Sequence, residues 1–346
     1  MNSTAIMRSH TDATENTSKL QQHGTPRSCC SSGGRGETML ESLSFLPQYR
    51  RRGEIELGMV LIPGGSFLAG SDDSDAFSDD GEGPVREIYL RPYLIDATAV
   101  TNGEFAAFAS GTGYVSDAER YGWSFVFYAL MDPKARDTVR EGTVQGAPWW
   151  LAVDGACWKA PEGPASDVVD RPEHPVVHVS WRDAAAYAAW AGKRLPSEAE
   201  WEVAARGGLQ RARYPWGDEL KPNGRHRCNI WQGRFPEINT CEDGFLGTAP
   251  ADAFDANGYG LYNMSGNVWE WCMDWWSTSW HVAASDATRE NPMGPSTGTD
   301  KVIRGGSYLC HASYCNRYRV AARTHNSIDS TTGHTGFRCA ADVDLR

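Results

Sequence analysis

No stretch of the chain approaches the roughly 18 consecutive apolar residues of a membrane span, and the first residues lack the apolar core of a secretory leader. A cytoplasmic setting away from membranes is therefore expected. A basic surplus is missing as well. Lys and Arg number 33 against 44 Asp and Glu, a formal net charge of -11. Such a surface repels a phosphate backbone and attracts a basic peptide, so no nucleic-acid partner is expected. No internal repeat is visible. The nine cysteines, at 29, 30, 157, 228, 241, 272, 310, 315 and 339, are an odd number and cannot all pair within the chain. A chain of 346 residues, 40% hydrophobic, does not need a disulfide scaffold either, which points to a mostly reduced, intracellular protein. Long aliphatic elements are scarce, whereas Trp (14) and Gly (36) are plentiful, so a loop-rich fold with large aromatic rings in its core is expected.

Residues 1–50 are rich in Ser, Thr, Gly, Asn and Gln without apolar periodicity, which predicts a disordered tail carrying an exposed Cys29–Cys30 pair. Residues 51–346 read as one domain, with ordered patterning from near Gly58. MVLI, PGG and SFLAGS (59–71) read as a run, a turn and a second run, hence a hairpin. TNGEFAAFAS (101–110) predicts a helix, with Thr101 and Glu104 in capping-box spacing. Residues 180–208 predict two more, N-capped by Ser180 and Ser197, stopped at Gly192 and Gly207, with Pro196 at the break. The remainder reads as loop and short strand.

Long loops in a compact domain need something to organise them. NIWQGRFPEINTCEDGF (229–245) offers Asp243, and NGYGLYNMSGNVWEW (257–271) offers Asn263 and Glu270 as oxygen donors suited to calcium. Neither matches an EF-hand loop, so ordinary Asn and Asp turns stay open as the other reading.

In GGSYLCHASYCNRYR (305–319), Cys310 and Cys315 stand five residues apart. No second close Cys or His pair completes a zinc set. Because five residues separate the side chains on a regular helix or strand, a shared site requires the segment to curl, as Gly305 and Gly306 allow. Inert core cysteines, a two-thiolate Cu(I) site and a redox dithiol activated by His311, Arg317 and Arg319 all remain open.

That segment, with AAR (321–323) and GFRCA (336–340), resembles the C-terminal part of the formylglycine-generating enzymes. VSWRDAAAYAAWAGKRLPSEAEWEVAARGG, YPWGDEL, NIWQGRFP, EDGFLGTAP and GYGLYNMSGNVWEW follow the same family's order, so the resemblance runs from about Met59 to the C-terminus. KRLPSEAEWE and GNVWEW are shared across the wider superfamily; SYLCHASYC is the specific part. The resemblance implies an α+β fold of low regular secondary structure, related to the C-type-lectin-like arrangement and holding two calcium ions. One ion would sit on Asn229, Asp243 and the carbonyls of Ile230 and Phe245, the other on Asn263, Glu270 and the carbonyls of Gly266 and Val268. It also implies a copper-dependent, O2-using conversion of a cysteine within C-x-P-x-R of an unfolded or nascent sulfatase into Cα-formylglycine, by a monomeric enzyme. Cys310 and Cys315 would hold Cu(I), Ser307 would orient oxygen or water, and His311, Tyr314 and Arg323 would line the peptide cleft. Against these roles stand a partly buried polar residue for His311 or Tyr314 and a structural ion pair for Arg323; Trp149, Trp150, Trp269 and Trp271 read as core before cleft. A non-catalytic binding module on the same scaffold and an iron-dependent sulfoxide synthase are the rival readings. The cysteine pair argues against the first, and the lack of an added helical region with histidine ligands against the second.

Two departures stand out. Vertebrate disulfide partners of the Cys339 and Val320 positions fall here on Ala188 and Ala205, so those bridges cannot form and Cys339 is expected to be a buried thiol. The family's cleft asparagine before GFR is His334. Cys228 and Cys241, flanking the first calcium loop, are candidates to pair on oxidation.

Overall fold

A computed structural model describes residues 58–142 and 144–343. The expected tail over 1–50, with Cys29 and Cys30, lies outside the described residues. In chain order the strands and helices are β1 (Met59–Ile62), β2 (Gly65–Ala69), β3 (Arg86–Leu90), β4 (Tyr93–Asp96), α1 (Asn102–Thr112), α2 (Asp117–Tyr121), β5 (Trp123–Phe127) and β6 (Trp150–Asp154). Then follow α3 (Trp181–Trp190), α4 (Glu198–Arg206), β7 (Gly233–Arg234), β8 (Ile238–Asn239), β9 (Trp269–Trp275), α5 (Asp286–Arg289), β10 (Asp300–Arg304), β11 (Arg323–Ser327), β12 (Thr335–Gly336) and β13 (Ala340–Asp342). These are short elements joined by long irregular segments, an α+β fold of low regular secondary structure.

The three expected helices form where their caps place them. Thr101, Ser180 and Ser197 each accept the N3 backbone N–H, while Glu104, Asp183 and Glu200 reach back to the N-cap N–H. Glycines in the left-handed region stop α1 at Gly113 and α4 at Gly207. The expected hairpin over 59–71 does not form. β1 instead pairs antiparallel with β4, which takes β13 on its other side, while β2 pairs with β3. The turn between β1 and β2 is used to change layers: Gly64 lies so close to the Leu90 carbonyl and Pro92 that a Cβ there would come within 2.9 Å of both. Period-2 patterning identifies strands but not which partner each one meets.

The second sheet, in the order β11-β10-β9-β12, carries the centre of the molecule. Trp150 of β6 and Trp269 and Trp271 of β9 are buried, as the core reading of these tryptophans expects, while Trp149 is half-buried; Trp201 of α4 is fully buried as well. Cys339 and Ala188 share one buried apolar cluster, and Val320 and Ala205 another, so packing occupies both places where a bridge is absent.

Arginine–carboxylate pairs cross this interior. Glu202 of α4 accepts from the Gly70 N–H (2.7 Å), from Arg206 (2.7 Å) and from Arg304 of β10 (2.7 Å). Glu270 of β9 takes Arg338 through both oxygens (2.7 and 2.8 Å) and the Trp201 indole N–H (2.7 Å). Burial alone would raise the Glu202 carboxyl, but Arg206, Arg304 and Arg86 outweigh it and hold it down at about 2. Replacing one partner of such a pair strands the other charge in the interior, so Glu202→Gln is expected to cost about 3–5 kcal/mol in thermal or denaturant unfolding. Since the folded carboxyl sits below its ordinary 4.5, its stabilisation is complete above that pH and is lost as pH falls toward 2. The melting temperature of the native chain should fall across that window, and the variant should show a shallower fall; parallel curves would contradict the assignment.

Candidate active site at the cysteine pair

Strand β10 ends at Arg304, and the chain then turns through Gly305 (φ 94) and Gly306 (φ 74). A Cβ on Gly306 would lie 3.0 Å from the Arg317 carbonyl, so glycine is what permits the two ends of the segment to meet. Ser307 O accepts the Cys310 N–H (2.9 Å), and His311 O accepts the N–H groups of Tyr314 (3.0 Å), Cys315 (2.8 Å) and Asn316 (3.1 Å). Two successive turns thereby curl the segment as a shared site requires. The sulfurs of Cys310 and Cys315 lie 3.1 Å apart, beyond the roughly 2.05 Å of a disulfide, and both residues are buried.

An acidic loop holds the far side of this curl. Arg317 donates to Asp80 (2.6 Å), Arg319 takes Glu82 through two bonds (2.6 and 2.7 Å), and Asn316 donates to Asp75 (3.2 Å). The Arg317 guanidinium also lies over Phe77, 4.2 Å from its ring centre. Both arginines of the R-Y-R run thus have carboxylate counterions, which weakens the redox-dithiol reading that asked them to depress a thiol pKa.

Aromatic rings form the opposite wall. Tyr314 stacks on Phe235 (4.4 Å between centres), and Trp149 meets both edge-on, at 4.8 Å and 5.1 Å. These three are half-buried. Trp231 packs behind Phe235 (5.3 Å), and its backbone N–H donates to the Cys310 carbonyl (3.0 Å). Trp150 presents an edge to His334 at 4.6 Å. Ser307, fully buried, donates its N–H to Cys310 Sγ (3.4 Å), and its Oγ accepts the Leu309 N–H (3.3 Å) and lies 3.2 Å from His334 Nδ1.

Cys310, Cys315, Ser307 and Tyr314 are therefore brought together. His311 contributes the carbonyl at the hub of the turn, while its half-exposed ring meets Ser313 Oγ at 2.8 Å. Arg323 is placed elsewhere. Its guanidinium forms two 2.6 Å bonds to Glu198, donates to the carbonyls of Asp80 and Ser277, and lies over Trp276. That is the ion-pair reading of this residue, and the bond to the Asp80 carbonyl supports the acidic loop. Spacing gives no sign of Trp231 or Phe235, whereas His334 stands where the resemblance places a cleft asparagine. The acidic run 72–82 facing R-Y-R does carry a signal in the sequence, complementary charge.

Asp243 Oδ2 and the Ile230 carbonyl both accept from the side-chain nitrogen of Gln232, so two of the expected oxygens converge on one point. Asn229 holds its loop through Nδ2 to the Gly247 carbonyl (2.8 Å), and Phe245 donates its N–H to Asp243 Oδ1 (3.0 Å). In the second loop Asn263 Oδ1 is buried without a hydrogen-bond partner, an acceptor of the kind a cation takes. Glu270 Oε1 accepts one bond, from Arg338, and keeps acceptor capacity. Gly266 (φ 75) backs onto Asn229, whose carbonyl also accepts the Asn267 N–H (2.8 Å), so the loops are built against each other next to buried Val268. These all-oxygen donor sets fit a hard cation. Cys228 is buried and Cys241 half-buried, and they are not bonded to one another.

Residues 47–343 match the profile of the sulfatase-modifying factor enzyme 1-like domain. The formylglycine-generating enzyme of Thermomonospora curvata is 65% identical over 303 residues, 88% of this chain and 99% of that protein. The formylglycine-generating enzyme of Streptomyces coelicolor is 58% identical over 288 residues, 83% and 90% of the two chains. Among solved structures, PvdO from Pseudomonas aeruginosa superposes with a TM-score of 0.59 at 26% identity, covering 82% of this chain and 94% of its own. With the domain match spanning most of the sequence and including the curled cysteine segment, the chain belongs to the formylglycine-generating enzyme family of sulfatase-modifying factors.

Proposed function

We propose that the chain oxidises one cysteine, within C-x-P-x-R of an unfolded or nascent sulfatase, to Cα-formylglycine, using O2 and copper. The observation that carries this reading is the buried pair of sulfurs at 3.1 Å, with Ser307 against one of them and an aromatic wall beside it. Two thiolates in a desolvated pocket are a soft donor set of the kind Cu(I) prefers. Bound by Cys310 and Cys315, copper would supply the electrons that activate O2. The protein's own part is to hold the two sulfurs in one curl, to keep the pocket dry with Trp149, Phe235 and Tyr314, and to offer the Ser307 hydroxyl to the reacting group. The substrate carbon loses a C–H and its S–H to become a thioaldehyde, which water hydrolyses with release of sulfide. Reducing O2 fully to water takes two further electrons, for which an added thiol is the reductant. Calcium in the two loops, a monomeric state and a cytoplasmic location complete the proposal. Among the described residues no helix is long and apolar enough to cross a membrane.

The decisive test is a Cu(I) competition titration run beside a C-x-P-x-R peptide assay in air. Replacing a soft thiolate by a hard hydroxyl should lower copper affinity and turnover together in Cys310→Ser and in Cys315→Ser, each by at least about 100-fold, the upper end of what changes around a metal ligand cause. Native affinity in both variants, or turnover that follows the thiol reductant and ignores copper, would show a different chemistry. For calcium, excess EDTA should lower the melting temperature, because an ion bound to the folded state alone stabilises by about 2.7 kcal/mol at a hundred times its Kd. Asn263→Ala should lose one of two ions by native mass spectrometry. An unshifted melting temperature with no calcium in the spectrum would remove the ions from the proposal.

A further inference from the structure

Among the described residues His334 is the imidazole that touches Ser307, and its environment restricts what it can do. The residue is 3% exposed, with Trp150 against its ring at 4.6 Å and its carbonyl fixed by the Trp269 N–H at 2.9 Å. Nδ1 lies 3.2 Å from Ser307 Oγ, whereas Nε2 is buried without a hydrogen-bond partner. Burial pushes its pKa down to about 3 against the opposing pull of Cys315, so the ring is neutral and carries a single proton on one nitrogen or the other.

The partners of Ser307 decide which. A hydroxyl has one proton to give and two lone pairs, and one lone pair is already taken by the Leu309 N–H. Were the Ser307 proton donated to Nδ1, the ring proton would sit on Nε2 as a buried N–H with no acceptor, which costs about 1–3 kcal/mol. With the proton on Nδ1, the ring donates to the second lone pair of Oγ and Nε2 is a bare acceptor, a less costly orphan than an N–H. That arrangement has a consequence at the reaction centre. Both lone pairs of Ser307 are then occupied, and its own proton is left for whatever enters beside the sulfurs.

We infer that His334 is a positioning residue of the cysteine site: as the Nδ1–H tautomer it donates to Ser307 Oγ, commits the Ser307 hydroxyl to act as a donor, and keeps Nε2 as an acceptor inside the pocket. The functional half of this inference rests on the proposed oxidation; the tautomer does not.

Nitrogen NMR of the full chain labelled in histidine tests the tautomer directly, with His334→Asn identifying the signals. A protonated Nδ1 and bare Nε2 are expected, and a proton on Nε2 would overturn the inference. In the peptide assay with copper, His334→Phe should lower kcat/KM by about 10–100-fold. His334→Asn, which places an amide N–H at the level of Nδ1, should lose much less than His334→Gln, which places one at the level of Nε2. Since both residues act through one hydroxyl, His334→Phe combined with Ser307→Ala should be no worse than Ser307→Ala alone. Native activity in His334→Phe, or losses that multiply in the double variant, would overturn the positioning role. If the Phe variant melts early, the tautomer measured on the native chain still decides. Failure of the native chain to convert the peptide would sink the functional reading and leave the tautomer result standing.

Discussion

Glu202 is the point from which the rest of this molecule is hung. Its two oxygens receive the Gly70 N–H after β2, Arg206 one turn further along α4, and Arg304 at the end of β10. Arg304 also donates to the carbonyls of Val320 and Ala321, on the far side of the cysteine segment. One carboxylate therefore ties together the strand that enters the site and the chain that leaves it. A buried charge of this kind is tolerable because each oxygen has hydrogen-bonded partners, and removal of one partner is far more disruptive than its presence is stabilising. In a fold with few long helices or sheets, such junctions do what a continuous ladder does elsewhere: they fix the relative placement of segments that share little backbone pairing.

The acidic loop extends the same device to the site. Asp75, Asp80 and Glu82 meet Asn316, Arg317 and Arg319, and Arg323 braces the loop from behind through the Asp80 carbonyl. The net charge of -11 is thus not a uniform solvated shell, since several of the carboxylates are spent on arginines within the interior. Arg323 is one of the arginines so engaged. Four of its five N–H donors are directed at Glu198 and at the carbonyls of Asp80 and Ser277, so its rigid fork joins three segments at once.

Much of this was legible beforehand, and the physical reasons for success and failure differ from residue to residue. The capping boxes at Thr101, Ser180 and Ser197 are local: the residues that make the bonds lie three apart, so the helices follow from the string alone. Strand pairing is not local. MVLI and SFLAGS were recognisable as strands, yet β1 finds β4 and β2 finds β3, a choice made by which layer buries Ile62 and Ile95. The cysteine pair was identified through the resemblance of its whole segment, and the glycines at 305 and 306 made its curl conceivable; the hub of the turn, a backbone carbonyl at His311, leaves no mark in side-chain spacing. Trp231 and Phe235 were invisible for a related reason, since a ring 80 residues away joins a wall through tertiary folding.

The missing disulfides bear on how the pocket is kept dry. Where vertebrate members are inferred to carry bridges, this chain has Ala188 beside Cys339 and Ala205 beside Val320 in buried clusters. A bridge constrains chiefly the unfolded chain, so its loss need not alter the native site if packing and ion pairs determine that geometry. They do so here: the sulfurs are aligned by hydrogen bonds within 307–316, the flanks by Arg304 and Arg319, and the roof by rings that stack face to face and edge to face. The same arrangement separates two roles among the cysteines. Cys339 and Cys272 sit in closed apolar or charged surroundings where burial raises their thiols far above the ordinary range, and a thiol kept protonated is a poor nucleophile and a poor metal ligand. Cys310 and Cys315 are just as buried, but they have each other and a serine amide for company, and they lie beneath a wall whose outer rings reach solvent. Among the described residues, the close approach of two sulfurs beneath that wall is what sets this pair apart from the other buried thiols.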